Sequence, residues 1–114
     1  MNKIPLTKIN QEVFDSFTFE SNKVVIVFFL AKKCRVCKEQ LPIIEEIAYE
    51  FKDKLKAYWV DVSKCKELFH RFRLQGVPNI LIFNQSEVRE KIRGLNSKKI
   101  FIEVINNILN EENY

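Results

Sequence analysis

The sequence contains few of the residues that interrupt or cross-link a chain. Its 114 residues include two glycines, three prolines and three cysteines. Three cysteines are an odd number and too few for a disulfide framework, which excludes a small secreted domain held together by disulfides. Repeats, low-complexity tracts and linkers rich in proline, glycine or serine are also missing. We therefore expect a single domain over residues 1–114.

Long apolar runs are missing as well. The longest uncharged apolar run, Val24 to Ala31, has eight residues, whereas a helix needs about 20 to span a bilayer. The first residues lack the apolar stretch of a secretory signal. The sequence therefore predicts a cytoplasmic protein with no membrane segment, and we expect a monomer.

The net charge is small and positive, at +4. It would suit an anionic partner, and a binding module for nucleic acid is one alternative for a basic chain with ten phenylalanines. The aromatic residues do not alternate with the cations, however, and Arg89, Lys91 and Arg93 follow one face of a predicted edge strand. Charges there prevent edge-to-edge aggregation, so we predict no nucleic-acid partner.

Hydrophobic periodicity predicts helices and strands in the order α, β, α, β, α, β, β, α. The predicted elements are a helix over 10–18, a strand over 24–30, a helix that contains Pro42, a strand over 56–62, a helix over 65–72 that ends at Gly76, a hairpin of strands 79–83 and 87–93, and a last helix whose apolar stripe begins at Ile100. Asn10 and Ser97 are placed to cap the first and last helices. This pattern predicts an α/β fold with a mixed central sheet flanked by helices.

A CxxC motif, Cys34-Arg35-Val36-Cys37, lies where the first predicted strand ends and the next helix begins, which assigns both sulfurs to the first helical turn. Residues three apart on a helix are close enough to form a disulfide after a small adjustment. The positive end of the helix stabilises a thiolate. We predict that the more exposed Cys34 attacks a partner's disulfide and that Cys37 resolves the mixed disulfide. These steps need no cofactor.

Cations surround this motif. The four are Lys32, Lys33, Arg35 and Lys38, and no carboxylate occurs between the first and the last of them. Cations favour the thiolate, and a stabilised thiolate makes the disulfide a stronger oxidant. Lys33 and Lys38 are therefore predicted to tune the redox potential. The alternative is that these cations are an ordinary solvated surface.

Several further motifs follow in a fixed order along the chain. Pro42 comes five residues after the second cysteine, and Val60-Asp61-Val62, Gly76-Val77-Pro78 and Gly94 follow it. With the apolar strand before Cys34, this ordered set resembles the thioredoxin family over nearly the whole chain.

The resemblance implies a thioredoxin fold and a thiol–disulfide oxidoreductase that acts on protein disulfides. It implies that a recycling enzyme similar to thioredoxin reductase restores the dithiol, and that a cis Pro78 faces the redox pair and helps to keep metal off the thiols. The residues that it assigns to substrate binding are Arg35, Val36, Val77, Pro78 and Gly94.

The chain also departs from the family's pattern. The usual Trp-Cys-Gly-Pro-Cys core is replaced by residues 33–37, Lys-Cys-Arg-Val-Cys. Phe28 stands where the family commonly has a buried aspartate, and Trp59 stands where the lysine partner of that aspartate lies. The usual proton relay is therefore absent, so resolution is slower or uses water or another base. This favours specialised exchange over general reduction.

Cys65 and His70 lie outside the motif. Cys65 falls on an apolar helical stripe, which predicts a buried structural thiol, with a regulatory thiol as the alternative. A zinc site of Cys34, Cys37, Cys65 and His70 is a second functional hypothesis, but Cys65 and His70 are expected on opposite faces of one helix, so we predict no metal. A non-catalytic binding module with the same fold is a third.

Overall fold

A five-stranded mixed sheet lies at the centre of the computed structural model, which describes residues 6–111. Residues 1–5, on which the prediction of no secretory signal partly depends, lie outside the described residues. The elements are β1 (Thr7–Lys8), α1 (Phe14–Phe17), β2 (Val24–Leu30), α2 (Arg35–Glu50), β3 (Leu55–Asp61), α3 (Lys66–Arg71), β4 (Asn79–Asn84), β5 (Glu87–Arg93) and α4 (Lys98–Glu111). The predicted fold class is confirmed.

The strands lie in the order β1-β3-β2-β4-β5. The first three pair in parallel, and β4 pairs antiparallel with both β2 and β5. Leu30 pairs with Asp61, and Phe29 pairs with Asn79. The end of β2, the end of β3 and the start of β4 therefore meet at one edge of the sheet.

Helices cover the sheet on both faces, because side chains alternate along each strand. On the face covered by α2 and α4, which we call the α2/α4 face, the buried core consists of Val24, Ile26, Phe28, Cys37, Ile44, Ile47, Leu55, Ile80, Ile82, Phe101, Ile105 and Ile108. On the face covered by α1 and α3, the α1/α3 face, it consists of Ile9, Phe14, Val25, Val27, Phe29, Val60, Cys65, Leu68, Leu74, Leu81 and Phe83. The apolar side chains of β2 thus pack alternately into two separate cores, one on each face of the sheet.

The N-terminal part of the fold differs from the prediction. The two-residue strand β1 was not predicted, and it adds a parallel edge beside β3. The first helix is shorter than predicted, and Asn10 does not cap it. Instead the Oδ1 of Asn10 accepts hydrogen bonds from the backbone N–H groups of Glu12 and Val13, in the turn before α1.

The end of α3 also differs, because Gly76 does not terminate the helix. Arg73 takes the left-handed conformation instead, with φ of 55°. Its N–H donates to the carbonyl of His70, and the N–H of Leu74 donates to the carbonyl of Phe69. This is the hydrogen-bond pattern of a Schellman motif, in which glycine is the usual left-handed residue.

The hairpin and the last helix follow the prediction closely. Gln85 and Ser86 connect β4 to β5 with φ of 52° and 65°, as a two-residue type I′ turn requires. The Oγ of Ser97 accepts a hydrogen bond from the N–H of Ile100 at 3.4 Å, so the predicted cap is confirmed. Ile100 itself is 42% exposed and does not belong to the apolar stripe. None of the helices within residues 6–111 is long and apolar enough to cross a membrane.

Candidate active site

Cys34 and Cys37 are joined by a disulfide, with their Cα atoms 5.2 Å apart. Only Cys37 lies in the first turn of α2. Cys34 is the N-cap, with φ of −97° and ψ of 109°, so the prediction of two helical sulfurs was wrong by one residue. The Cys34 Sγ accepts a hydrogen bond from the Cys37 N–H at 3.1 Å. Because N-cap groups face the unpaired N–H groups of a helix, the same geometry would stabilise a thiolate at Cys34.

The two sulfurs differ in exposure, in the order that the sequence predicts. Cys37 is 3% exposed and belongs to the buried core of the α2/α4 face. Cys34 is partly exposed and packs against the same core from its edge. A partner can therefore reach Cys34 first.

Two loops lie beside the disulfide at the same edge of the sheet. The Val77–Pro78 peptide bond is cis, and it directly precedes β4, whose first residue pairs with Phe29 of β2. The Gly94 N–H donates to the Pro78 carbonyl at 3.0 Å. Gly94 has φ of 79°, a conformation that glycine adopts without steric cost. Val77 packs against the same core as Cys34, so Val77, Pro78 and Gly94 lie together at the edge of the sheet where Cys34 lies.

A buried amide pair, which the sequence did not indicate, fixes the loop after β5 to α2. Gln40 is completely buried, and its Nε2 donates to the Asn96 carbonyl at 3.1 Å while its Oε1 accepts from the Asn96 N–H at 2.8 Å. The Asn96 Nδ2 donates in turn to the carbonyls of Arg93 and Gly94. The loop that contains Gly94 and Leu95 is thus held to the helix that contains Cys37.

The cations around the disulfide are exposed, as are two apolar side chains. The cations are Lys32, Lys33, Arg35 and Lys38, and none of them forms an ion pair with a carboxylate of residues 6–111. Val36 and Leu95 are 38% and 50% exposed. The edge therefore presents apolar surface within a positive surrounding.

Phe28 and Trp59 occupy the two positions at which the usual proton relay would have an aspartate and a lysine. Phe28 is completely buried, and Trp59 packs partly buried against the same core. The Lys8 Nζ lies 5.1 Å from the centre of the Trp59 ring. Neither position supplies a carboxylate to the buried side of Cys37.

Asp61 is a buried carboxylate at the same edge, and the sequence marks it only as the centre of the Val60-Asp61-Val62 motif. Its Oδ1 accepts hydrogen bonds from the Oγ of Ser63 at 2.7 Å and from the Ser63 N–H at 3.0 Å. The hydrogen bond from the Ser63 side chain lowers the pKa of Asp61, and the charges of Lys8 and Lys32 lower it further, whereas burial opposes them. Its Oδ2 is buried with no hydrogen-bond partner among the described residues.

Cys65 and His70 do not join the site. Cys65 is a free thiol, 4% exposed, which confirms the prediction of a buried thiol. His70 is exposed. Within residues 6–111 no group of three His, Cys, Asp or Glu side chains is placed to hold a metal ion, so the geometry gives the zinc hypothesis no support.

Comparison with known proteins agrees with this geometry. A family model described as Thioredoxin matches residues 5–107. Thioredoxin of Bacillus subtilis is 31% identical over 101 residues, which are 89% of this chain and 95% of that protein. Thioredoxin of Rickettsia typhi is 32% identical over 93 residues, 82% of this chain and 89% of that protein. An M-type chloroplastic thioredoxin of Chlamydomonas reinhardtii is 28% identical over 90% of this chain and 73% of that protein. The chain therefore belongs to the thioredoxin family, and with its bonded Cys34–Cys37 pair it is a thiol–disulfide oxidoreductase.

Proposed function

We propose that Cys34 is the nucleophile and Cys37 the resolving thiol in exchange with protein disulfides. The observation that carries this proposal is the difference in exposure within one bonded pair, because a partly exposed Cys34 is joined to a buried Cys37 at the start of α2. A partner's sulfur can approach only the first of them. The second is already at bonding distance from it.

The exchange proceeds in two steps that balance without a cofactor. The Cys34 thiolate attacks one sulfur of the partner's disulfide, that S–S bond breaks, and the other sulfur leaves as a thiolate. Cys37 then loses its proton and attacks the Cys34 Sγ, which forms the Cys34–Cys37 disulfide and releases the partner's second sulfur. Two electrons have passed to the partner. The reverse sequence oxidises a partner.

The groove beside Cys34 holds the partner in an extended conformation. In this proposal the backbone of Val77, before the cis Pro78, pairs with the partner's chain as an added strand. Arg35, Val36 and Gly94 line the same groove. The support is the convergence of these residues at one sheet edge, with the Gly94 N–H bonded to the Pro78 carbonyl.

The chemistry of resolution differs from that of a thioredoxin with a buried acid. Because Phe28 is apolar and completely buried, water or another base takes the Cys37 proton. Lys33 and Lys38 stabilise the thiolate form and raise the reduction potential. Both features favour exchange with a restricted set of partners.

We propose the following partners, cellular compartment and oligomeric state for this exchange. Members of this family act on protein disulfides and are recycled by a reductase, and we extend both properties to this chain, with a reductase similar to thioredoxin reductase as the recycling partner. The chain acts as a single cytoplasmic domain and as a monomer. It requires neither nucleic acid nor metal. Cys65, a buried free thiol, is the candidate for a regulatory thiol when the fold opens locally.

A redox titration tests the proposal. The purified protein is equilibrated with defined thiol–disulfide buffers, and its free thiols are counted by mass spectrometry after alkylation. We expect one two-electron transition at Cys34 and Cys37, above about −230 mV, whereas a thioredoxin-like reductant titrates near about −270 mV. No transition at this pair, or thiols that react only after a chelator is added, would overturn the proposal.

A further inference from the structure

We propose that the disulfides exchanged by this protein lie in acidic segments of their partners. The inference rests on the proposed exchange at Cys34, and it names the substrate class that the surface around Cys34 selects. It is drawn from the charges and the exposed apolar side chains at this edge of the sheet.

The positive charges are concentrated on the side from which a partner must approach. Lys32, Lys33, Arg35 and Lys38 are all exposed, and within residues 6–111 no carboxylate pairs with any of them. Elsewhere among the described residues three cations are paired with carboxylates: Arg71 with Asp15 at 2.9 Å, Lys98 with Glu46 at 3.1 Å, and Arg89 with Glu111. A partner's carboxylates would meet free cations around the disulfide.

Two carboxylates lie close to these cations and reduce their field only in part. Glu39 follows Lys38 on α2 and is exposed. Asp61 is buried, and one of its oxygens is occupied by Ser63. Its charge acts on Lys8 as well as on Lys32, so it does not neutralise the four cations. The excess around Cys34 remains positive.

The opposite side of the groove adds a further cation and an apolar surface. Arg93 precedes Gly94, and its Nη1 donates to the uncharged Oε1 of Gln75 at 2.9 Å, so its charge is not neutralised there. Val36 and Leu95 expose apolar side chains near the disulfide. The complementary partner is an extended segment with an apolar residue beside its reactive cysteine and with aspartate or glutamate residues further out.

Charge complementarity of this kind acts mainly on the rate of encounter, and salt screens it. The covalent step is unchanged, because the same S–S bond breaks and the same two electrons pass whichever segment bears the disulfide. A test must therefore separate recognition from the reactivity of the thiolate. An uncharged small disulfide, hydroxyethyl disulfide, measures that reactivity alone.

The experiment uses three synthetic peptides that share one disulfide and an apolar neighbour. They differ only in whether their flanking residues are glutamate, glutamine or lysine. The full-length protein is reduced and mixed with each peptide, the reaction is stopped by acid and alkylation, and second-order rate constants are read by mass spectrometry. We expect the glutamate peptide to react at least about tenfold faster than the lysine peptide at low ionic strength. In salt of about 1 M the two should agree within about twofold.

A pair of charge-matched double variants locates the effect. K33E/R35E reverses two cations beside Cys34, whereas K54E/K56E makes the same change in net charge at the start of β3, at the opposite edge of the sheet. The first cancels the excess positive charge of the four cations and should abolish the preference for the glutamate peptide, whereas the second should leave it unchanged. Circular dichroism checks that both variants are folded.

The outcomes distinguish this inference from the proposed function. If the wild-type protein reduces hydroxyethyl disulfide but reacts equally with all three peptides, acidic selection is wrong and the exchange stands. The same holds if K33E/R35E slows every disulfide by one common factor, since the cations would then act only on the thiolate. If no disulfide reacts, the proposed function fails first.

Discussion

The two faces of the sheet are built from different residues and serve different purposes. On the α1/α3 face, Phe14 contacts three other rings, those of Phe29, Phe72 and Phe83, with centroids 5.4 to 6.2 Å apart. The α2/α4 face has Phe28, Phe101 and mainly aliphatic residues, and it contains the buried sulfur of Cys37. Interlocked aromatic rings pack with specific geometry. The comparison indicates that one face mainly stabilises the fold while the other holds the disulfide in place.

The largest effect expected is the loss of exchange in Cys34→Ser. Serine cannot form the thiolate, so turnover of a peptide disulfide should fall to background. Measured against the reduced wild-type protein, the free energy of unfolding should stay within about 0.5 kcal/mol, because the side chain is partly exposed and similar in size. Cys65→Ser, on the α1/α3 face, is the matched control and should retain exchange. Turnover by Cys34→Ser would refute its role as nucleophile.

Two adjacent phenylalanines of β2 provide the sharpest test of the functional difference between the two faces of the sheet. Phe28 and Phe29 are both completely buried and face opposite sides of the sheet. Each change to alanine should lower the free energy of unfolding by about 3–5 kcal/mol, because each leaves a cavity. Only Phe28→Ala should also slow the resolving step, by roughly tenfold or more, since it loosens the core around Cys37.

Urea unfolding gives the two free energies, and trapping of the mixed disulfide at successive times gives the rate of resolution. Rates are compared at temperatures where both variants are folded. Equal slowing by Phe28→Ala and Phe29→Ala would mean that the two faces are not functionally distinct.

A smaller effect is expected for Gln40→Leu. Leucine leaves the partly buried N–H and carbonyl of Asn96 without their partners, which should lower the free energy of unfolding by about 1–3 kcal/mol. Because the loop with Gly94 and Leu95 is then released from α2, KM for a peptide disulfide should rise more than kcat falls. Gln40→Glu keeps one acceptor for the Asn96 N–H and should recover part of the binding. An unchanged KM would assign Gln40 a structural role only.

The smallest effect concerns Asp61 and depends on pH. Its folded pKa is lowered, chiefly by the hydrogen bond from Ser63. The stabilisation by the charge is therefore present above the ordinary pKa of aspartate, about 4, and is lost as the pH falls through the lower folded value. Asp61→Asn keeps the acceptor and removes the charge. The wild-type protein should be more stable by at most about 1 kcal/mol at pH 7.

This difference should shrink below about pH 4, which thermal unfolding at a series of pH values measures. In Ser63→Ala the principal cause of the lowered pKa is removed, so the difference at pH 7 should be smaller and its loss should be complete at a higher pH. A difference that is the same at every pH would show that the charge of Asp61 does not contribute.

Local patterns in the sequence predicted the features that depend on neighbouring residues. The apolar run of β2, the position of the CxxC motif and the hairpin turn are all determined by a few adjacent residues, and each was predicted. The two residues of β1 are too few to show a periodicity, and the strand is defined by its pairing with β3. Their strand could not be predicted from them.

Tertiary contacts decide the features that were missed. Gln40 is a polar residue on a helix, which normally indicates a solvent-facing position, and its burial depends on Asn96, 56 residues further along the chain. Arg73, and not the nearby Gly76, is the left-handed residue in the turn after α3. The reason is that Leu74, 6% exposed, packs into the α1/α3 core and fixes the turn there. Neither contact is visible in a local pattern.

The amide pair of Gln40 and Asn96 has a consequence for how recognition responds to its surroundings. Two uncharged amides hold the loop beside the disulfide, and neither changes its protonation over the range of pH in which proteins are folded. This contact between the loop and α2 is therefore independent of salt and acidity, whereas the attraction of the nearby cations is not. A change in ionic conditions would alter how often partners arrive and leave unchanged how they fit once bound.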